Sequence, residues 1–170
     1  MNVAEVLSDG FGRVREVARG AVADLDVDQL TWRVDGSGNS IAWLIWHLTR
    51  IQDDHLADAG GYEQLWTAEG WSSRFALPFD DSATGYGHTY EEVGQVRAEG
   101  SLLLGYLDVV HERTLKFLSG LADADLDRVV DESWDPAVTL GVRLVSVISD
   151  GLQHAGQAAF VNGLLPSRSS

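Results

Sequence analysis

Four long stretches of this sequence place apolar residues three and four positions apart, the period of an α-helix with one buried face. They cover approximately residues 7–21, 41–59, 89–117 and 139–162. The clearest stripe lies in the first stretch and consists of Leu7, Phe11, Val14, Ala18 and Ala21. Helices of this length bury their stripes by packing against one another. The pattern therefore predicts an all-α fold, a four-helix bundle.

Capping residues mark the ends of the later helices. Ser40 can accept a hydrogen bond from the first amide groups of the second helix, and the pair Gly60-Gly61 would end it. The sequence of Thr89–Glu92 is that of a capping box at the start of the third helix. We expect this helix to continue to Gly120, and the fourth to begin after Thr139.

A long segment without regular pattern, about residues 60–88, separates the second and third helices. A connection of this length is unusual in a compact domain and is often functional. Its aromatic residues indicate that it packs on the bundle, either as a covering flap or as a lid over a site. Such a crossover allows helices two and three to run parallel. We therefore predict an up-down-down-up bundle in a single domain, residues 1–170.

Charge and composition exclude several classes of function. The net charge of −14 disfavours nucleic acids and anionic membranes as partners, because both bind basic surfaces. The chain has no cysteine, so disulfides, thiolate-bound metals and a cysteine nucleophile are excluded. No stretch has the length of a membrane span, and residues 1–20 lack the apolar core of a signal peptide. We expect a cytoplasmic protein whose metal site would use histidine and carboxylate.

Two of the predicted helices carry side chains that commonly bind metals. Residues four apart lie on one face of a helix, so Asp150 and His154 project together from the fourth helix. If the second helix runs antiparallel to it, aligning the two midpoints puts His47 level with about residue 153. These three side chains are therefore candidate ligands of one metal ion, because bundles build such sites between facing helices.

The donor set of this candidate site suits a catalytic role. Two histidines and one carboxylate are suitable ligands for zinc, iron, nickel or manganese. Three protein ligands leave at least one coordination position for water or substrate, as in catalytic zinc sites. A thiol or water bound in that position loses its proton more readily.

The spacing does not establish a metal site by itself. With 26 acidic residues, a carboxylate four residues from one of the five histidines is expected about once or twice by chance. His88 and Glu92 form another such pair. A single histidine in an apolar helix, such as His47, is more often a hydrogen-bonded core residue. The alternative is therefore an ordinary helical bundle.

Four more polar residues lie near the candidate ligands on these helices and are possible substrate contacts or ligand supports: Arg143, Gln157, His55 and Asp54. His55 is about 12 Å along the helix from His47. It is an alternative ligand or supports one, but we favour a surface cluster with Asp53 and Asp54. Arg143 either binds an anionic group of the substrate or neutralises Asp150, and we favour the second.

Two phrases of the sequence resemble motifs of the DinB/YfiT-like superfamily of four-helix metalloenzymes. SIAWLIWHL, at residues 40–48, is similar to the second-helix motif with its ligand histidine. DGLQHAGQ, at residues 150–157, is similar to the fourth-helix motif. The resemblance covers essentially the whole chain. It is greatest for the actinobacterial branch of DinB-like proteins that is linked to mycothiol-dependent transferases.

This resemblance implies ligands at His47 and His154. The remaining ligand on the fourth helix is usually histidine in the family and a carboxylate in some thiol-dependent members, whereas this chain has Asp150. The resemblance also implies a divalent metal, often zinc or nickel, in a site open at one end of the bundle. It further implies mycothiol or a similar thiol as cosubstrate, and a homodimer.

Three hypotheses of function follow. The first is a metal-dependent transferase that joins a low-molecular-weight thiol to a small electrophile, with His47, Asp150 and His154 as ligands and residues 60–88 contacting the substrate. The second is a bundle of stress-response type that binds a metal or small ligand without catalysis. The third is a structural or interaction protein, in which the histidines serve packing alone.

Overall fold

The computed structural model describes residues 1–166, in which helices predominate. The α-helices are α1 Val3–Val22, α2 Val27–Thr31, α3 Ile41–Gly60, α4 Leu65–Ala68, α5 Trp71–Phe75, α6 Tyr90–Gln95, α7 Gly100–Ser119 and α8 Leu140–Gly163. Short 3-10 helices occupy Val34–Gly36 and Asp123–Asp127. Strand β1, Val129–Asp131, pairs antiparallel with β2, Val138–Thr139. The predicted all-α fold class is confirmed.

The four long helices α1, α3, α7 and α8 surround the core, and α8 packs against both α1 and α3. His47 in the first half of α3 faces His154 in the second half of α8. Arg143 in the first turn of α8 reaches His55 near the end of α3. These two helices therefore run antiparallel, which places polar side chains from both at successive levels of one groove.

Helix α7 also packs against α3 and runs parallel to it. Tyr106, in the first half of α7, reaches Arg50 in the middle of α3, while Phe117 lies beside Gly60 at the ends of both helices. The crossover between the two helices covers residues 61–99, so the chain can return to the end of the bundle at which α3 begins.

Local sequence explains where α3 and α8 begin. The Ser40 side chain accepts a hydrogen bond from the Trp43 amide at 3.1 Å, and Thr139 accepts one from Val142 at 3.4 Å. Gly61 ends α3 in the left-handed conformation that glycine adopts without steric cost. The same boundaries were expected from the sequence.

The third predicted helix was wrong in its first part, because it is interrupted. Helix α6 ends at Gln95, and an extended segment, residues 96–99, precedes α7. Val96 and Ala98 are buried in the main core, and Arg97 forms an ion pair with Asp28 at 2.7 Å. A continuous helix would not place both apolar side chains and Arg97 in these positions, so burial prevails over local helix propensity here.

The crossover packs onto the main core through its aromatic residues. Trp66, Trp71 and Phe75 are buried, since α4 and α5 present them to the bundle. Phe79 packs against the same core from the loop that follows. No helix in residues 1–166 is long and apolar enough to cross a lipid bilayer.

Candidate metal centre

The structure brings His47, Asp150 and His154 together between α3 and α8. One ligand-type atom from each residue lies within 4.8 Å of the others. The imidazole rings of His47 and His154 are 4.8 Å apart, centroid to centroid, and nearly perpendicular. Since α3 and α8 are antiparallel, residues that are far apart in sequence reach the same level of the groove.

His47 is held in one tautomer by the crossover. Its Nδ1 lies 2.6 Å from the carbonyl oxygen of Thr84. A carbonyl can only accept, so Nδ1 carries the hydrogen and Nε2 keeps its lone pair. The ring stacks on Trp43 at 4.6 Å and is 5% exposed. Burial lowers the pKa of His47, which favours the neutral imidazole that metals bind.

His154 is oriented in the same way by its own helix. Its Nδ1 lies 3.0 Å from Oε1 of Gln157, one turn further along α8. Because Oε1 accepts the hydrogen, Nε2 is again the ring atom that could bind a metal ion. That atom lies 3.4 Å from Oδ1 of Asp150. When the ring is protonated, Nε2 can donate to this carboxylate, and this interaction raises the pKa of His154, although burial opposes it.

The second carboxylate oxygen of Asp150 provides the test of whether a metal fits. Oδ2 is buried and has no hydrogen-bond partner among residues 1–166. A buried carboxylate oxygen left unpaired is unfavourable, and a cation is the partner that suits it best. In the neutral rings Nε2 of His47 and Nε2 of His154 each have a free lone pair, and with this oxygen they match the His₂-carboxylate set of catalytic zinc sites. The donor set therefore fits a divalent metal.

A cleft of about 620 Å³ opens beside this cluster. His47 and Asp150 lie in its wall, and Arg143 and His55 lie further along it. The exposed aromatic side chains of Tyr86, from the crossover, and Trp134, from the β1–β2 hairpin, also line it. The cluster is thus open to small molecules on this side, and the buried Trp43 closes it on another.

Arg143 does not neutralise Asp150, contrary to the interpretation favoured from the sequence. Its Nη2 donates to Asp131 of β1 at 2.8 Å, and its Nη1 lies 3.1 Å from Nδ1 of His55. The hairpin brings Asp131 over the first turns of α8, so this nearer carboxylate pairs with the guanidinium. Gln157 does contact a candidate ligand, as described above for His154.

The expected surface cluster of Asp53, Asp54 and His55 is also corrected. Asp53 is 3% exposed and points into the protein, where its carboxylate accepts hydrogen bonds from the Leu65 and Trp66 amides. Asp54 and His55 are half-buried and lie in the cleft wall, outside the three-residue cluster. Burial lowers the pKa of His55, with Arg143 acting in the same direction.

Two contributors to the site were missed from the sequence: Thr84 and Asp131. Thr84 acts through its backbone carbonyl, which no side-chain pattern reveals. The phrase Asp131-Glu132-Ser133 is a turn signal, since the Asp131 carboxylate accepts from the backbone and hydroxyl of Ser133.

Comparisons with known proteins agree with the fold. The family model described as the DinB superfamily matches residues 11–158. A solved structure described as "conserved protein of locus from Enterococcus faecalis" is 32% identical to this chain. The similarity covers 96% of this chain and 97% of that one, with a TM-score of 0.90. No curated protein matches the chain.

Proposed function

Because this chain belongs to the DinB superfamily, we propose that it is a metal-dependent transferase that uses a low-molecular-weight thiol, such as mycothiol, on a small electrophile. The observation that carries the proposal is the convergence of His47, Asp150 and His154 at the wall of an open cleft. The buried Oδ2 atom of Asp150, which has no hydrogen-bond partner in residues 1–166, supports the proposal because a cation would satisfy this oxygen.

His47, Asp150 and His154 would hold the metal. Zinc is the first choice because it suits two histidines and a carboxylate in a three-ligand site, with nickel, iron and manganese as alternatives. When bound, the metal supplies a Lewis acid that lowers the pKa of a thiol and makes it a nucleophile.

The remaining residues prepare this site and receive the substrates. Thr84 and Gln157 hold the two imidazoles with Nε2 free, and such partners increase the affinity of a site for its metal. Trp43 covers the buried side of the rings and excludes water there. Arg143 and His55 offer polar contacts along the cleft, next to the aromatic rim, so a thiol and an electrophile have room beside the metal.

Metal content is the first test. Untagged wild type and the double variant His47→Ala/His154→Ala would be loaded with zinc, dialysed and measured by elemental analysis. We expect close to one zinc per chain in the wild type and none in the double variant. His111→Ala is the matched control, since His111 is a buried histidine that lies outside the cluster, and this variant should retain zinc.

Thermal melting adds an independent readout. Zinc at about 100 times its Kd stabilises the native state by about 2.7 kcal/mol, which raises the Tm by about 5–11 °C for a chain of this size. The double variant should show no rise. Zinc-loaded protein would then be tested for consumption of thiol in the presence of electrophiles. If the wild type retains neither zinc nor, in parallel loadings, nickel, iron or manganese, the proposal is refuted. Binding without turnover of any pair would leave the non-catalytic alternative.

A further inference from the structure

Arg50 is a buried cation in the middle of α3, three residues after His47. It is 0% exposed, and no ion pair joins it to a carboxylate within the part of the chain that the structure describes. Removing a guanidinium from water is unfavourable unless its donors are satisfied. The groups that accept hydrogen bonds from Arg50 therefore indicate what the residue does.

Two donors of Arg50 end on the backbone of one loop. Nε donates to the carbonyl of Ala83 at 3.1 Å, and Nη2 donates to that of Asp81 at 3.3 Å. Nη1 donates to Oε1 of Gln64 at 2.7 Å, at the start of α4. The guanidinium also lies 4.8 Å from the centre of the Trp66 ring. Arg50 thus joins α3 to the beginning and to the middle of the crossover that covers it.

The loop that Arg50 binds is the one that contacts His47. We name residues 81–85 the strap. After the two carbonyls bound by Arg50, the next carbonyl, that of Thr84, accepts the hydrogen from Nδ1 of His47. Gly85 follows and lies so close to the ring that a Cβ there would be 2.8 Å from Nδ1. The strap therefore touches His47 directly and is held on α3 by Arg50.

A second chain of hydrogen bonds supports Arg50 from the opposite side. The Tyr106 hydroxyl lies 3.4 Å from Nη1 and donates to Asp53 at 2.7 Å. Asp53 carries the compensating charge and also accepts the amides of Leu65 and Trp66. Arg50 is therefore enclosed by partners that keep it from turning away from the strap.

We propose that Arg50 is a positioning residue of the metal centre, which holds the strap so that Thr84 keeps His47 in the tautomer with Nε2 free. The inference rests on the proposed metal-binding function for its affinity readout. The effect of Arg50 on the tautomer of His47 can be measured without metal. A residue that served packing alone would affect stability and leave the tautomer of His47 and the zinc affinity unchanged.

The test compares Arg50→Met and Arg50→Lys with wild type. Methionine fills much of the same space without donors, and lysine keeps the charge without the fork that reaches two carbonyls. Arg33→Met is the matched control, because Arg33 also donates to backbone carbonyls, those of Gly38, Ser37 and Tyr90, none of which touches the cluster. Zinc affinity would be measured by competition with a chromophoric chelator, and the tautomer of His47 by nitrogen-15 NMR of metal-free protein.

We expect Arg50→Met to lower zinc affinity about 10- to 100-fold, the range found when partners of metal ligands are removed. The Nδ1–H form of His47 should lose population, Arg50→Lys should be intermediate, and Arg33→Met should match wild type. Unchanged affinity and tautomer in Arg50→Met would overturn the inference. If Arg50→Met does not fold, the same result in Arg50→Lys would overturn it. Failure of wild type to bind zinc, nickel, iron or manganese would refute the proposed function alone, because the tautomer would still decide the role of Arg50.

Discussion

At the scale of single residues, the candidate metal centre depends on atoms that belong to no ligand. Gly85 is the clearest case. Its φ of +92° lies in the region that side-chain-bearing residues rarely adopt, and an added Cβ would also approach Trp46 at 3.0 Å. Glycine at this position allows the strap to contact His47 closely enough for the carbonyl of Thr84 to accept its hydrogen. The backbone thus selects the tautomer.

Gly85→Ala should weaken metal binding as well as stability. The new methyl group must displace His47 or the strap, so we expect zinc affinity to fall at least about 10-fold, measured by chelator competition. Gly87→Ala is the control, since Gly87 also has a positive φ, +77°, but a Cβ there meets nothing within 4 Å. Both variants should lose about 1–3 kcal/mol from backbone strain, measured by urea unfolding. Equal zinc affinities in the two variants would contradict this account of the strap.

The convergence of the candidate ligands could be anticipated from the sequence, and the residues that support them could not. Asp150 and His154 follow from helical spacing, and the level of His47 follows from the midpoints of two antiparallel helices. The contact between His47 and Thr84 joins residues 37 positions apart through a loop of irregular conformation. The pairing of Arg143 with Asp131 likewise depends on a short hairpin that the apolar pattern does not reveal.

At the scale of elements, α3 is the helix that organises the protein. At three successive levels it carries His47 to the cluster, Arg50 to the strap and Asp53 to the start of α4. Asp53 accepts the Leu65 and Trp66 amides at 3.0 and 2.9 Å and the hydroxyl of Tyr106 at 2.7 Å. The carboxylate thereby caps a helix that follows α3 and anchors α7 to it.

Asp53→Asn should therefore cost far more stability than the change at the next position. Asparagine keeps one acceptor oxygen, so at least one buried donor loses its partner and the remaining bonds lose their charge. We expect the free energy of unfolding to fall by about 2–4 kcal/mol, measured by urea denaturation. Asp54→Asn is the control. Asp54 is half-buried and receives one side-chain hydrogen bond, from Gln64, so its loss should stay below about 1 kcal/mol. Similar losses in both variants would show that the buried network is not needed.

Sequence predicted the elements best where local chemistry decides them. The N-caps Ser40 and Thr139 and the C-terminal Gly61 mark α3 and α8 because hydrogen bonds within four residues determine those ends. The break between α6 and α7 was missed because tertiary burial of Val96 and Ala98 causes it. Segment 61–89 contains two short helices. They are too short for a repeated apolar pattern, so the spacing of apolar residues does not predict them.

At the scale of the whole molecule, the arrangement of helices and the acidic character of the chain combine at one place. The groove between α3 and α8 gathers carboxylates at Asp54, Asp131 and Asp150, with Arg143 as the basic residue lining the same cleft. A divalent cation reduces this excess of negative charge, and the chain as a whole carries a net charge of −14. Cation binding at this groove therefore agrees with the electrostatics of both the site and the molecule.

Burial of histidines should make the free energy of unfolding depend on pH near neutrality. His111 lies outside the cluster, so the effect can be measured there separately from metal binding. Burial lowers the pKa of His111, and Arg15 acts in the same direction against Asp108 and Glu112. In the unfolded chain His111 takes up a proton near its ordinary pKa of about 6.5. The folded state resists this proton, so lowering the pH below that value favours unfolding.

We therefore expect wild type to lose more free energy of unfolding than His111→Gln between pH 8 and pH 5.5. Glutamine cannot take up the proton, while the other histidines remain in both proteins and cancel from the comparison. The difference should grow by at most about 1.4 kcal/mol for each pH unit below the unfolded pKa, until the folded pKa is reached. Urea unfolding in the presence of chelator measures it, because chelation removes competition between protons and metal at the cluster. Between pH 8 and 9, where histidines do not titrate, the difference should stay constant. A difference that is also constant down to pH 5.5 would show that His111 takes up its proton equally well in the folded and unfolded chain.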